Sequence, residues 1–220
     1  MEVEVQRHSL FIRIVHWGIV ITGIILALTG MELGGLYGVR ILGEHVLVVH
    51  MAVAFVFGGL WGLFTYYMCV KEWKWISISR IPYAIRFLIA EAKAWLGIGP
   101  HVEDPRGYDP EKKEYVEKII PTQVLVWWTY LILAILIGIT GLAMYYPDFF
   151  KFIIDIADKI GEIISPGGVN SYAVLRAVHQ LCMYLFGVVM FMHMYAVIIF
   201  GVLPSMITGK RREKVIKRSE

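Results

Sequence analysis

The chain has 220 residues, of which 58% are hydrophobic and only 18% are charged, and its formal net charge is +3. Its mean hydropathy of +0.64 is too high for an ordinary soluble domain, while its length suffices for one bundle of membrane spans. The composition therefore excludes an ordinary soluble domain and predicts an integral membrane protein.

Apolar segments of about 20 or more residues occur four times and predict four spanning helices. They cover residues 12–31, 46–70, 124–146 and 174–203. We expect an all-α, four-helix membrane bundle that forms a single domain over residues 1–220. The acidic N-terminal segment has no small-x-small cleavage site before the first span, which favours an anchor that is retained.

The segments that join the spans are polar or amphipathic. The loop 71–123 contains an expected interfacial helix around residues 81–96, and apolar residues at helical spacing over residues 149–164 predict an amphipathic helix on the outer surface. A basic tail, residues 204–220, follows the last span.

Lysine and arginine residues are distributed asymmetrically. Seventeen of the 21 fall in residues 1–13, the loop 71–123 and the tail 204–220. The positive-inside rule then places both termini in the cytoplasm, in a multi-pass protein of the cytoplasmic membrane. We interpret the basic tail as a topology signal that meets membrane lipid, and we expect no nucleic-acid partner.

Two histidines, His179 and His193, lie fourteen residues apart on the fourth apolar segment. Fourteen residues of α-helix rise roughly 21 Å and fall about 40° short of four full turns, so both imidazoles face nearly the same way at two depths. Ionisable residues within a membrane span usually face the bundle interior and mark a functional site.

Two further histidines lie at matching depths on other spans. His16 is level with His193 near the cytoplasmic side, and His50 is level with His179 near the outer side. We call His16 and His193 the inner pair, and His50 and His179 the outer pair. Each pair offers the bis-imidazole axial ligation that the iron of a b-type haem requires, which predicts two haem b groups.

The remaining histidines are expected to play lesser roles. His45 lies five residues before His50, about 140° around a helix, and is the alternative ligand for the outer site. His8 and His101 lie outside the spans, where solvated surface positions are the default. The two cysteines, Cys69 and Cys182, form no C-x-x-C or C-x-x-C-H motif, so iron–sulfur clusters and covalently attached haem are not expected in this chain.

An arginine precedes one histidine of each pair by three residues. Arg13 lies one turn before His16, and Arg176 lies one turn before His179. Each guanidinium could bind a haem propionate at the membrane surface, or could simply snorkel to the interface. Gly187 lies midway between His179 and His193 and would leave room between two cofactors. Trp61 is a candidate wall of a haem pocket, and a role in core packing is equally open.

These motifs together resemble the cytochrome b subunits of membrane-bound formate dehydrogenases and nickel–iron hydrogenases. The shared elements are R-I-V-H-W at residues 13–17 with a later Thr29-Gly30, His50 with Trp61 eleven residues on, Thr140-Gly141, and the histidines fourteen apart. The run Ser205 to Gly209 looks like the formate dehydrogenase version. The segment between Tyr146 and Ser171 has no clear counterpart.

The resemblance implies a quinone-reactive subunit of an oxidoreductase complex that contains no substrate-oxidising centre of its own. Its expected partners are an iron–sulfur subunit and a catalytic dehydrogenase or hydrogenase subunit on the outer side, and the complex could form a higher oligomer. Gln123 matches a polar residue of the family's quinone pocket, but Ile120 stands where the family has Asn. A capping or loop role for Gln123 is therefore equally open.

Two other classes of function would also use membrane histidines. A transporter or proton-relay protein would favour carboxylates within the spans, yet apart from Glu32 and Glu44 near span ends the spans contain none. A non-catalytic anchor would only pack its histidines. A membrane metalloprotease is disfavoured because the sequence has no H-E-x-x-H motif.

Overall fold

The computed structural model describes residues 1–36, 38, 40–165 and 167–216. In chain order the elements are β1 (Glu2–Gln6), α1 (Leu10–Leu33), a 3₁₀ turn (Gly43–His45), α2 (Val46–Lys71), α3 (Trp73–Ile76), a second 3₁₀ turn (Ile78–Arg80), α4 (Ile81–Trp95), β2 (Gly107–Asp109), β3 (Glu114–Glu117), α5 (Gln123–Tyr145), α6 (Lys151–Ile164), α7 (Ser171–Ile199), α8 (Leu203–Thr208) and β4 (Lys210–Lys214).

Within the part of the chain that the structure describes, four helices are long and apolar enough to cross a membrane, namely α1, α2, α5 and α7. Only 6–22% of the residues in their most apolar windows are buried by the protein. Because so much apolar side-chain surface would be costly in water, it must face lipid. The predicted all-α class and the multi-pass membrane location are therefore confirmed.

The chain divides into two compact units, and each long helix contributes to both. The first unit comprises Met1–Ile19, Gly62–Thr129 and His193–Glu220. The second unit comprises Val20–Trp61 and Tyr130–Met192.

The first unit carries a small cap made of strands. β1 pairs antiparallel with β4, from Glu2 opposite Lys214 to Gln6 opposite Lys210. A second antiparallel pair joins β2 and β3, and an isolated bridge from Tyr108 to Val215 connects this hairpin to the chain just after β4. The terminal strands β1 and β4 therefore lie side by side. The charge pattern predicted a common side for the two termini, but it did not predict this pairing.

The last spanning helix ends earlier than the sequence predicted. We expected the span to continue to Leu203, whereas α7 ends at Ile199. Gly201 adopts φ +59°, a left-handed conformation that stops the helix. Arg211 and Arg106 then donate to the carbonyl of Phe200, at 2.9 and 3.4 Å, and so satisfy an acceptor that the helix end leaves exposed.

The second unit contains α6, which occupies the predicted amphipathic segment 149–164 and begins two residues later than that segment. Its small residues Ala157 and Gly161 are buried, and Ala157 packs in a cluster with Ala143, Val174 and Leu175. A Cβ on Gly161 would lie only 2.2 Å from the carbonyl oxygen of Val169, so glycine alone fits.

Candidate functional site

The outer pair brings α2 and α7 together within the second unit. The ring centroids of His50 and His179 are 6.4 Å apart, and their planes are inclined at 62°. Both side chains are half-buried.

A threonine hydroxyl lies against each ring of the outer pair. Thr29 Oγ1 on α1 is 2.8 Å from His50 Nδ1, and Thr140 Oγ1 on α5 is 3.0 Å from His179 Nδ1. Each hydroxyl also donates to the carbonyl four residues earlier, Thr29 to Ile25 at 2.8 Å and Thr140 to Leu136 at 2.7 Å.

This arrangement favours one tautomer in both rings. A hydroxyl has a single hydrogen, and where the helix carbonyl takes it, the ring nitrogen donates to the hydroxyl oxygen. With that assignment Nδ1 carries the proton in His50 and in His179. In the neutral imidazole that leaves Nε2 with the lone pair that can bind a metal.

A glycine follows each of these threonines and leaves space for the ring edge. A Cβ built on Gly30 would lie 3.5 Å from His50 Cε1, and one on Gly141 would lie 3.1 Å from His179 Cε1. The two Thr-Gly steps thus present the same combination of hydroxyl acceptor and bare backbone to the two histidines of one pair.

The inner pair joins α1 and α7 within the first unit. The ring centroids of His16 and His193 are 6.5 Å apart, with planes inclined at 50°. The indole of Trp17 meets His16 edge-on at 5.8 Å and donates from Nε1 to the carbonyl of Met206 at 3.1 Å. The short helix α8 is thereby fixed to the start of α1 next to this pair.

Both pairs fit a haem iron. A first-row metal binds an imidazole nitrogen at about 2.0–2.1 Å, and the ring centre lies about 1.1 Å further out. Two imidazoles on opposite sides of one iron therefore have ring centres about 6.3 Å apart. The separations of 6.4 and 6.5 Å are close to this value, so each pair could hold one haem iron through two ring nitrogens.

The two arginines expected to bind haem propionates, Arg13 and Arg176, differ in their surroundings. Arg13 is half-buried, and its Nη1 donates to the carbonyl of Ile207 in α8. Arg176 is exposed. Binding of haem propionates by these two side chains stays a prediction, and Arg13 has the additional task of fastening α8.

Gln123 is the first residue of α5 and lies in the same unit as the inner pair. Its side chain is half-buried, and its backbone N–H donates to the carbonyl of Ile120 at 2.9 Å. The quinone role of Gln123 stays a prediction.

The other histidines divide into two exposed residues and one enclosed residue. His45 ends the first 3₁₀ turn with 77% of its side chain exposed, and His101 is exposed as well. His8 contradicts the expected solvated role, because its Nε2 is buried and has no hydrogen-bond partner among the described residues. Burial, together with the charges of Arg7 and Lys118, lowers the pKa of His8 to about 3.

Trp61 belongs to an aromatic cluster of the second unit. Neighbouring ring centroids lie 5.6–6.5 Å apart, and the members are Phe57, Trp61, Tyr130 and Phe186. Gly187 follows Phe186, and a Cβ at that position would meet nothing within 4 Å among the described residues.

Sequence reasoning missed the hydroxyl of each Thr-Gly step as a partner of the outer pair. The repeated Thr-Gly step near the ends of α1 and α5 is visible in the sequence. Which rings the two hydroxyls contact depends on the packing of α1 against α2 and of α5 against α7, which the sequence does not show.

A family model described as prokaryotic cytochrome b561 matches residues 7–209, which is most of the chain and includes all four histidines of the two pairs. No curated protein matches the chain at a significant level.

Proposed function

Because the chain belongs to the prokaryotic cytochrome b561 family and so has a haem b electron-transfer role in the membrane, we propose that it binds two haem b groups, one at each histidine pair. The observation that carries this proposal is the ring separation in both pairs, which fits bis-imidazole ligation of one iron each. The bound haems would supply reversible one-electron chemistry.

The protein's own contribution is to hold and shield the ligands. Each pair joins α7 to another spanning helix, α1 for the inner pair and α2 for the outer pair. All four rings are half-buried, and lipid surrounds the helices, so a haem held there is kept away from bulk water. Burial and axial ligation are two of the properties by which a protein tunes a haem.

We further propose that both termini lie in the cytoplasm. The pairing of β1 with β4 supports a common side for the two ends. The excess of lysine and arginine in the terminal segments and in the loop 71–123 supports the cytoplasmic side. The inner pair then lies toward the cytoplasm and the outer pair toward the outside.

In the complete pathway, an extracytoplasmic dehydrogenase or hydrogenase would exchange electrons with the outer site through an iron–sulfur subunit, and a quinone would react near the inner site. The motifs shared with formate dehydrogenase and hydrogenase cytochrome b subunits support this assignment. Gln123 is our candidate for the hydrogen bond to the quinone. It lies in the same unit as the inner pair, on the basic side of the chain.

The quinone assignment can be tested at Gln123 alone. Loss of one neutral hydrogen bond costs about 0.5–1.5 kcal/mol, or roughly 2- to 13-fold in binding. Gln123→Ala should slow quinone turnover and weaken inhibition by quinone analogues, while the haem spectrum stays unchanged. Unchanged turnover and inhibitor affinity would move the quinone site away from this residue.

The pairing of the four histidines is tested by removing them singly and resolving the haem components by redox titration. His16→Ala and His193→Ala should remove one component, whereas His50→Ala and His179→Ala should remove the other. The exposed His45 provides the control, since His45→Ala should retain both components. Loss of the same component from His16→Ala and His179→Ala would contradict the pairing.

A further inference from the structure

We propose that Thr29 and Thr140 act as positioning residues for the outer haem, holding the proton on Nδ1 of both axial histidines and lowering the reduction potential of that haem. This inference rests on the proposed function, since it requires a haem at the outer pair. It adds a pair of residues that never touch the iron and act only through its ligands.

The hydroxyl contact is the same on both sides of the site, although the carbonyl of Ile137 is a further acceptor near His179. The hydroxyl of Thr29 is 2.8 Å from His50 Nδ1, and that of Thr140 is 3.0 Å from His179 Nδ1. Each threonine is largely buried, with 5% and 6% of its surface exposed. Water therefore does not compete effectively for either ring nitrogen.

Each hydroxyl is also held in one orientation. Thr29 donates to Ile25 and Thr140 donates to Leu136, so both oxygens turn their lone pairs to the ring. A hydroxyl already committed as a donor accepts a hydrogen bond more readily, because chained hydrogen bonds polarise one another. The strength of each threonine hydroxyl as a hydrogen-bond acceptor therefore depends on the bond that it donates to a carbonyl of its own helix.

The electronic consequence follows from where the proton lies. An imidazole that donates from Nδ1 to a fixed acceptor becomes more basic at Nε2 and a stronger ligand. A stronger neutral donor on each side of the iron stabilises the oxidised, more positive state over the reduced state. The potential of the outer haem is therefore lower than it would be without the two hydroxyls.

The inner pair has a different second layer. His16 Nδ1 is buried, and among the described residues it has no hydrogen-bond partner. Among the described residues, His16 therefore lacks the threonine contact that both outer rings have, although the ring separations of the two pairs are nearly equal. A lowered potential at the outer haem favours passage of electrons away from it.

The test is a spectroscopic redox titration of the purified protein carrying Thr29→Val or Thr140→Val. Valine keeps the shape of threonine and removes the acceptor. Each variant should raise the midpoint potential of the component that His50→Ala removes, and the double variant should raise it further. The component that His16→Ala removes should keep its potential.

Two sets of control variants distinguish the loss of the hydrogen-bond acceptor from a change in packing. Thr29→Ser and Thr140→Ser retain a hydroxyl and should restore the potential toward the wild-type value. Thr129→Val changes an exposed threonine on the same helix as Thr140 and should shift neither component. Selective loss of the outer haem in a valine variant, with recovery in the matching serine variant, would also support the role.

The inference and the proposed function fail in distinguishable ways. If the wild-type protein has both haems but neither valine variant shifts or loses the outer component, only the role of the threonines is wrong. The same holds if Thr29→Val and Thr140→Val shift different components. If the wild-type protein contains no reducible b-type haem, both the proposed function and this inference are overturned.

Discussion

The space beside each ring of the outer pair is set by single residues. A Cβ on Gly141 would approach His179 Cε1 to 3.1 Å, closer than ordinary contact, whereas a Cβ on Gly30 would reach only 3.5 Å from His50 Cε1. The two glycines look alike in sequence, but only one of them is required by the position of the ring.

Gly141→Ala should therefore weaken haem binding at the outer pair, because the imidazole must shift to admit the methyl group. Overpacking of this kind costs about 1–3 kcal/mol, or roughly 5- to 150-fold in binding. Gly30→Ala is the matched control and should retain the haem. Haem content per chain after purification measures both, and equal retention in the two variants would refute the steric argument.

The enclosed imidazole of His8 predicts a pH dependence outside the spans. Its pKa falls from 6.5 to about 3 on folding, because of burial and the charges of Arg7 and Lys118. Below about pH 6.5 the unfolded chain binds this proton and the folded chain does not. His8 therefore contributes its full stability above that pH, and the contribution declines as the pH falls toward 3.

His8→Gln removes this titration and should make the melting temperature less sensitive to pH between about 6.5 and 5. The exposed His101 offers the comparison, since His101→Gln should leave the profile as in the wild type. A profile in the His8 variant as steep as the wild-type profile would show that other groups cause the acid sensitivity.

At the level of elements, the strand cap is held by a buried ion pair. Arg7 and Glu213 lie 2.5 Å apart with only 4% and 3% of their side chains exposed, and Arg7 also donates to the carbonyl of Lys118 at 2.6 Å. The cap thus ties the N-terminal segment to both the C-terminal strand and the loop before α5. Lys210 and Glu4 form an ion pair in the same sheet, but it is largely exposed.

Breaking the two ion pairs should give very different losses. Glu213→Gln leaves the Arg7 charge buried without a counter-charge, which typically costs about 3–5 kcal/mol. Glu4→Gln breaks the exposed pair and should cost less than about 1 kcal/mol. Hydrogen exchange of the β1 and β4 amides would measure both, and similar protection in the two variants would contradict the assigned role of Arg7.

The elements differ in how far the sequence predicts them. The spans were found because lipid requires long apolar runs, and α6 was found because its charged and apolar residues alternate at helical spacing. β4 was not found, since KRREK has no apolar alternation and its partner β1 lies about 200 residues away in sequence. Likewise, the spacing of Thr29 and Thr140 did not reveal which rings they contact.

For the whole molecule, the paired ends reduce the possible topologies. Four candidate spans and a sheet between the terminal strands support a common side for both ends, and the distribution of basic residues supports our proposal that this side is the cytoplasm. The four membrane histidines were chosen from the sequence by their depth, and the structure brings together the same two pairs.

Cysteine labelling of intact cells tests this orientation. In a background where Cys69 and Cys182 are replaced by serine, Lys159→Cys on α6 should react with a membrane-impermeant maleimide. Glu2→Cys on β1 should react only after the membrane is permeabilised. Labelling of Glu2→Cys alone in intact cells would invert the proposed topology and exchange the inner and outer sites.

The central claim, one haem at each histidine pair, is tested most directly by counting haem. Pyridine haemochrome analysis of the purified protein against its concentration should give two b-type haems per chain, both released by acid–acetone because no cysteine motif attaches them covalently. A ratio near one, or haem that remains with the protein after extraction, would contradict the account.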